Sequence, residues 1–429
     1  MKKIFQHLFI AFIMSISLPA MAQSGFVRVE GTQFTIDGKS YRYIGANYWY
    51  GGLLATNGEK GKQRLKTELD FLKKNGVTNL RIMVGAEGLT TYPYRVPGEK
   101  ALQPHPGQFD EKIMYGLDYL LNELGKRNMK AVLHFTNTWD WSGGLGQYLQ
   151  WNGFGPQPHS KYGGYTWNAD QHYTAQFYTS QKSMDELDTY IKYVLHRINS
   201  VNGKKYTDDP AIMAWEIINE PRPMEQSANQ AFLAWMQHVS ALVKSIDHNH
   251  LLTTGSEGDI ASSGDMSIFQ QIHADKNIDY ATIHIWPKNW GWFQDTAIVA
   301  NYPTIIANAT DYIARHLAVA QALNKPLVIE EFGLPRDAQS FSIKATTISR
   351  NKWYEFVFGE MIKNTGIAGA NFWAFGGTAR PIPGQTFWKD GDEFMGDPGG
   401  EEQGLNSVFD SDVSTWAVIS KYAQEAEKQ

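Results

Sequence analysis

Two short strings in this chain hold residues that could make and break bonds. Trp215-Glu216-Ile217-Ile218-Asn219-Glu220-Pro221 ends an apolar, β-rich run on an Asn-Glu pair, and Leu327-Val328-Ile329-Glu330-Glu331-Phe332-Gly333 ends another on a Glu-Glu pair. Pro221 has no N–H to give a sheet ladder, so it stops the first run just past its carboxyl. Carboxyls at two strand ends that face each other can divide the work of glycosidic hydrolysis. One protonates the leaving oxygen while the other attacks, or activates water at, the anomeric carbon. Alternation puts Glu216, Ile218 and Glu220 on one face, so spacing alone also admits Glu216. Glu220 is preferred because it stands nearest the strand end. Of the consecutive Glu330 and Glu331, only one is expected to point inward, the other pairing toward the surrounding helices.

The elements that must carry these strings recur along the whole chain. Short apolar runs lie at Tyr41 to Ala46, Thr78 to Met83, Lys130 to Phe135, Ala211 to Ile217, His250 to Thr254, Tyr280 to Ile285, Pro326 to Glu330 and Ala368 to Ala374. Stretches of helical period separate them, such as Leu65, Leu69 and Leu72 before Gly76, and Met114, Leu117, Leu120, Leu121 and Leu124 before Gly125. Strand and helix in alternation imply parallel strands with helical crossovers, and about eight strands make a (β/α)8 barrel, an α/β fold. The two carboxyl strings then end its fourth and seventh strands. Ahead of the barrel, Phe26 to Val29 and Phe34 to Ile36 flank Gly31 as a small β-hairpin. The longest non-periodic segments follow the third strand (Asn137 to Gln171) and the eighth (Gly376 to Asp412), where loops would wall a cleft. No linker, repeat or low-complexity tract interrupts residues 23–429, which are expected to form a single catalytic domain.

Composition narrows the function classes. Lys2-Lys3, an apolar run from Ile4 to Leu18 and Pro19-Ala20-Met21-Ala22 have the form of a cleaved signal peptide over residues 1–22, implying a secreted or periplasmic protein with no membrane anchor after cleavage. With no cysteine in the chain, disulfides, thiolate catalysis and cysteine metal sites are excluded. The net charge of −5 becomes −7 without Lys2 and Lys3, and no basic run exists, which argues against nucleic acid as a partner. The 14 Trp, 21 Tyr and 22 Phe suit either a large core or the stacking of aromatic faces on sugar rings.

Together the strings Trp215 to Arg222, His284-Ile285-Trp286-Pro287 and Ile329 to Gly333 resemble glycoside hydrolase family 5, a retaining family. Its β-mannanase branch is suggested by Asn137-Thr138-Trp139 with Gly143-Gly144, Gln147 to Trp151, Asn199 to Pro210, Gly396-Asp397-Pro398 and Glu402-Gln403-Gly404. The similarity runs in order from Phe26 to the last helix. It implies Glu220 as acid/base, Glu331 as nucleophile, Asn219 as a ligand of the sugar 2-hydroxyl, Arg81 as the cation that keeps Glu331 ionised, His284 in the same subsite and Trp373 as the platform under the reacting sugar. Trp139 and Trp151 would be further platforms. Glu220 then needs a raised pKa, to be protonated at rest. Trp286 departs from the family, which has a tyrosine there, and an indole can only donate a hydrogen bond. His134 fits a structural role as well as a site role. The acidic run from Asp390 to Glu402 lacks calcium-loop spacing and reads as solvated; Asn308-Ala309-Thr310 is too short a glycosylation pattern to weigh. No metal or cofactor is expected. The resemblance implies an endo-acting β-1,4-mannanase, expected to be a monomer. An exo-β-mannosidase, a β-1,4-glucanase and a non-catalytic glycan-binding barrel are the alternatives, in that order.

Overall fold

The computed structural model describes residues 25–89, 95–160, 163–293 and 297–429; the expected leader, 1–22, lies outside them. Eight parallel strands form the core: β1 (Tyr43–Asn47), β2 (Asn79–Met83), β3 (Lys130–Asn137), β4 (Ile212–Asn219), β5 (Leu251–Thr253), β6 (Ala281–Ile285), β7 (Leu327–Phe332) and β8 (Ile367–Phe372). Their hydrogen-bonded order is β5-β4-β3-β2-β1-β8-β7-β6. Single bonds bridge the remaining gap, from Asp279 N to Leu252 O (2.8 Å) and from His284 N to Glu257 O (3.0 Å). The sheet is a barrel, and nearly every residue of the strands is buried, as the continuous apolar runs require.

Helices return the chain between strands: α1 (Gly58–Lys74), α2 (Glu111–Lys126), α3 (Gln181–Leu195), α4 (Asn229–Ile246), α5 (Met266–Ala274), α6 (Ile298–Ala322), α7 (Ile348–Lys363) and α8 (Val413–Glu427). Leu65, Leu69 and Leu72 of α1 form one buried stripe. In α2, Asp110 caps the N-terminus by accepting from Lys112 N at 2.7 Å, and the apolar set from Met114 to Leu124 faces the barrel. No described helix is long and apolar enough to cross a membrane.

The N-terminal hairpin, Val27–Glu30 against Gln33–Ile36, gains a third short strand at Lys39–Ser40. Val27 and Phe34 cluster with Tyr43, Val132, Met213 and Tyr280, sealing the end of the barrel where the strands begin. At the opposite end, the segment after β3 contains two short helices, Gly144–Trp151 and Trp167–Ala175, where the sequence suggested irregular chain. Both are short, and three glycines within Gly143 to Gly146 read as loop, which hides the first although Leu145, Tyr148 and Leu149 of it are buried in the core. The loop after β8 is organised by Asp397, which is buried and accepts from the N–H groups of Gly404 (2.9 Å), Asn406 (3.0 Å) and Ser407 (3.1 Å). That member of the acidic run is therefore structural rather than solvated. Trp49, just past β1, ties the loop down by donating its indole N–H to Met395 O (3.1 Å) and Gly396 O (3.0 Å).

Candidate active site

The strand ends deliver their polar side chains to one buried cluster beneath a cleft of about 630 Å³. At its centre lies Arg81, from β2, with 1% of its surface exposed. Its Nε and Nη2 donate to the two carboxyl oxygens of Glu216 (2.8 and 2.6 Å), Nη2 also to Asn219 Oδ1 (2.7 Å), and Nη1 to Asn47 Oδ1 (3.1 Å) and to Glu331 Oε1. The guanidinium thus holds strands β1, β2, β4 and β7 together while facing Glu331.

Glu220 follows the last residue of β4 with φ +53°, a left-handed kink that turns its carboxyl into the cleft before Pro221. One oxygen takes a bond from His284 Nδ1 at 2.8 Å, the other from the Trp139 indole N–H at 2.5 Å. Across from it, Glu331 Oε2 accepts from the Trp286 indole at 3.1 Å and lies 3.4 Å from His284 Nδ1. One oxygen each of Glu220 and Glu331 and a ring nitrogen of His284 all fall within 4.8 Å of one another. Trp286 therefore supplies a donor to this carboxyl, a task open to an indole even though accepting is not.

Glu330 corrects an expectation. It points inward like Glu331, 3.7 Å from both Arg81 Nε and His284 Nε2, and not toward the helices. The β6–β7 register explains why: Ile283 pairs with Ile329 and His284 with Glu331, so Glu330 is an extra, bulged residue. A bulge breaks the strict alternation that consecutive strand residues otherwise obey.

Four buried carboxyls, Glu216, Glu220, Glu330 and Glu331, thus surround two cations, Arg81 and His284. Full ionisation would leave excess negative charge out of water, which is costly. Burial accordingly lifts Glu216 to about 8 and Glu331 to about 7, against the pull of Arg81 and His284. Burial alone would push His284 down, but Glu331, Glu220 and Glu330 raise it to about 10. Glu220 moves in the direction opposite to expectation. Burial pushes it up, yet the hydrogen bond and charge of His284, with Arg222 and Trp139, outweigh burial and hold it below the usual carboxylate range. Of the two carboxyls at the cleft, Glu331 is thus the one pushed toward its protonated form and Glu220 the one held toward its anion.

The other expected residues divide. Trp373, Trp139, Trp286 and Asn219 line the cleft with the two glutamates. Asn219 Nδ2 donates to Asn137 Oδ1 (2.9 Å) and its Oδ1 faces Arg81, so protein partners orient it. One face of Trp139 is covered by the Arg222 guanidinium, 4.9 Å from the ring. Trp151 is not part of the cleft: it ends its helix edge-on against Tyr148, 5.2 Å away, because the helix turns its aromatic face to the core. His134 sits beneath the site, near Thr136 O, and burial with the nearby Arg81 charge keeps its pKa well below the usual histidine range. Sequence reasoning assigned no role to Arg222, whose fork binds Glu257 at 2.6 and 2.7 Å, or to Trp141, Trp167 and Trp290, which also line the cleft. Arg222 had a signal, its place directly after Glu220-Pro221; the tryptophans had only their type.

A family model described as GH family 5 beta-mannosidase-like matches residues 24–429. Mannan endo-1,4-beta-mannosidase 1 of Solanum lycopersicum is 32% identical over 355 residues, which is 79% of this chain and 82% of that one. Among solved structures, a glycoside hydrolase family 5 mannosidase from Rhizomucor miehei is 33% identical with a TM-score of 0.84, covering 94% of this chain and 98% of its own. An endo-1,4-beta-mannanase from the same fungus, at 24% identity and TM-score 0.69 over 94% and 100% of the two chains, shares the fold. A match along nearly the whole chain, on a barrel with carboxyls at the ends of strands four and seven, means that this protein belongs to glycoside hydrolase family 5, among its β-mannosidase-like members.

Proposed function

We propose that this enzyme cleaves β-1,4-mannosidic bonds inside mannan-type polysaccharides with retention of configuration, using Glu220 as acid/base and Glu331 as nucleophile. The observation that carries this reading is the short gap between the two carboxyls, within 4.8 Å at their nearest oxygens. Retaining pairs lie about 5–5.5 Å apart, whereas inverting pairs need roughly 6.5–9.5 Å to admit a water.

In the first half-reaction, a Glu331 oxygen bonds to the anomeric carbon, the glycosidic C–O bond breaks, and the Glu220 proton goes to the leaving oxygen. Glu331 loses its charge in the ester, and with it the repulsion it exerts on Glu220. The His284 and Trp139 donors then favour the Glu220 anion, which takes a proton from water as that water attacks and the ester breaks. These donors thus keep Glu220 ionised ahead of the second step, while the first needs Glu220 protonated and Glu331 charged. Trp373 would stack under the reacting sugar, with Asn219 at its 2-hydroxyl. The catalytic unit would comprise residues 23–429, exported by the leader 1–22 to the periplasm or medium and acting as a monomer.

A second reading, release of mannose from chain ends, is favoured by one feature. Trp141, which lines the cleft, is backed by the buried Trp49 (5.5 Å between ring centres), itself packed on Phe394 (5.4 Å), so that ring is held in place at the cleft's edge. Products from linear mannan and mannohexaose, followed in time, separate the two. Mid-length oligosaccharides with falling viscosity are expected; mannose alone at near-constant viscosity would establish the end-acting enzyme. Glu220→Gln and Glu331→Gln should each lower kcat by about 10³-fold or more. Near-normal activity in either variant would remove that residue from the mechanism.

A further inference from the structure

Glu330 is buried, is turned inward by the β7 bulge, and has no part in the bond-breaking steps given above. Its Oε2 stands 3.7 Å from Arg81 Nε and 3.7 Å from His284 Nε2. The Arg81 guanidinium is already engaged by Glu216, Asn219, Asn47 and Glu331, and its Nε donates to Glu216. Among the described residues neither Glu330 Oε2 nor His284 Nε2 has a hydrogen-bond partner. These two atoms face each other out of water, at the end of the ring away from Glu220. We propose that Glu330 is a positioning residue for the reaction: its carboxylate keeps a proton on His284 Nε2, so that the ring stands as an imidazolium with its Nδ1–H fixed on Glu220.

His284 Nδ1 lies 2.8 Å from a Glu220 oxygen and 3.4 Å from a Glu331 oxygen, so this nitrogen holds a hydrogen. On a neutral ring Nε2 would then be a bare acceptor aimed at a carboxylate oxygen, and burying two unpaired acceptors face to face is costly. A second hydrogen, on Nε2, turns the same contact into an attraction between opposite charges. Charges on every side of the ring bear on that proton. Arg81 from β2 opposes it; Glu216 and Glu220 from β4, Glu330 and Glu331 from β7, and Glu257 past β5 favour it. Burial keeps His134 from β3 neutral, and likewise the Tyr43 and Tyr280 phenols near Glu330. Glu216 is held by Arg81 and Glu257 by Arg222, whereas Glu330 faces Nε2 itself. With both nitrogens protonated, the ring has no tautomer in which Nδ1 loses its hydrogen. The bond to Glu220 therefore persists through both half-reactions, a consequence that rests on Glu220 being the acid/base.

The test follows the ring nitrogens of His284 by nitrogen-15 NMR in histidine-labelled protein without substrate, with His284→Gln to identify the signal. The wild-type ring should stay doubly protonated well above neutral pH, since the neighbouring carboxyls outweigh burial and raise it to about 10. In Glu330→Gln the midpoint should fall by about 1–3 units, the effect of removing one opposite charge at this range, and Glu330→Asp should restore part of that fall. On mannohexaose, kcat/KM should drop about tenfold in Glu330→Gln and recover in Glu330→Asp. A wild-type ring already neutral at about pH 8, or a midpoint that Glu330→Gln leaves in place, would overturn the role of Glu330. An unchanged kcat/KM beside a shifted midpoint would overturn it too. Should the Gln variant fail to fold, the wild-type ring and the Asp variant, with its shorter reach and smaller shift, decide the matter. A wild type inactive on mannohexaose would instead overturn the functional reading and leave the ring titration standing.

Discussion

The two indole donors at the reacting carboxyls have opposite consequences for the pH profile. Trp139 gives its N–H to Glu220 and Trp286 gives its own to Glu331, and each bond favours the charged carboxylate. A hydrogen bond to a charged group contributes about 1.5–3 kcal/mol, or roughly one pKa unit or more. In Trp139→Phe, Glu220, which titrates below Glu331, should hold its proton to higher pH, so the acidic limb of kcat/KM moves up by about one unit. In Trp286→Phe, Glu331, already raised to about 7, should rise further, so the basic limb moves up while the productive form with Glu331 charged and Glu220 protonated becomes rarer. pH–rate profiles of the two variants check both directions; limbs that stay in place while kcat falls would limit the rings to packing.

At the scale of elements, the cleft depends on loops that single polar residues hold in shape. Asp397 organises the loop after β8 by accepting three backbone N–H groups, and Ser407 Oγ as well at 2.5 Å. Asp397→Ala would leave those donors buried and unanswered, which costs about 3 kcal/mol or more. A lower thermal midpoint, together with a raised KM because this loop includes Glu401 at the cleft, is the expected outcome in calorimetry and steady-state assays. The β7 bulge acts on the same scale, since one extra residue brings Glu330 under His284 and tightens the charge balance of the whole cluster.

For the molecule as a whole, two buried histidines outside the site contribute to the acid dependence of stability. His273 and His316 are fully buried; burial lowers them to about 3 and about 4. His273 fits its site as the neutral ring, with Nδ1 at Phe269 O (2.8 Å) and Nε2 at Thr254 Oγ1 (2.9 Å). Between an unfolded pKa near 6.5 and these folded values, only the unfolded chain takes up the proton, so stability falls as pH drops through that window. Each histidine contributes about 1.4 kcal/mol of loss per pH unit. The raised Glu216 and Glu331 bind protons in the folded chain over the same range and act in the opposite sense, so the histidine contribution is read against His273→Gln: the wild-type midpoint should fall relative to that of the variant as pH drops from about 6.5 to 4. A difference between the two midpoints that does not change between pH 7 and 5 would contradict this account.

The barrel was legible in the amino-acid order because a strand buried on both faces must be a run of apolar residues. Thr78 to Met83 and Tyr280 to Ile285, for example, became Asn79–Met83 and Ala281–Ile285. The positions of Glu220 and Glu331 followed from the same logic, since each stands at or beside the end of such a run. What surrounds them did not follow, because Arg81, Trp139 and the pair His284 and Trp286 come from three different strand ends and meet only when the sheet closes. Alternation along one strand cannot reveal a bulge, so the inward turn of Glu330 was hidden, as was the helix that directs Trp151 to the core. The direction of the Glu220 shift was beyond sequence for the same reason. Proton affinity is set by burial, partner distances and neighbouring charge in three dimensions, and only the tertiary structure decided those.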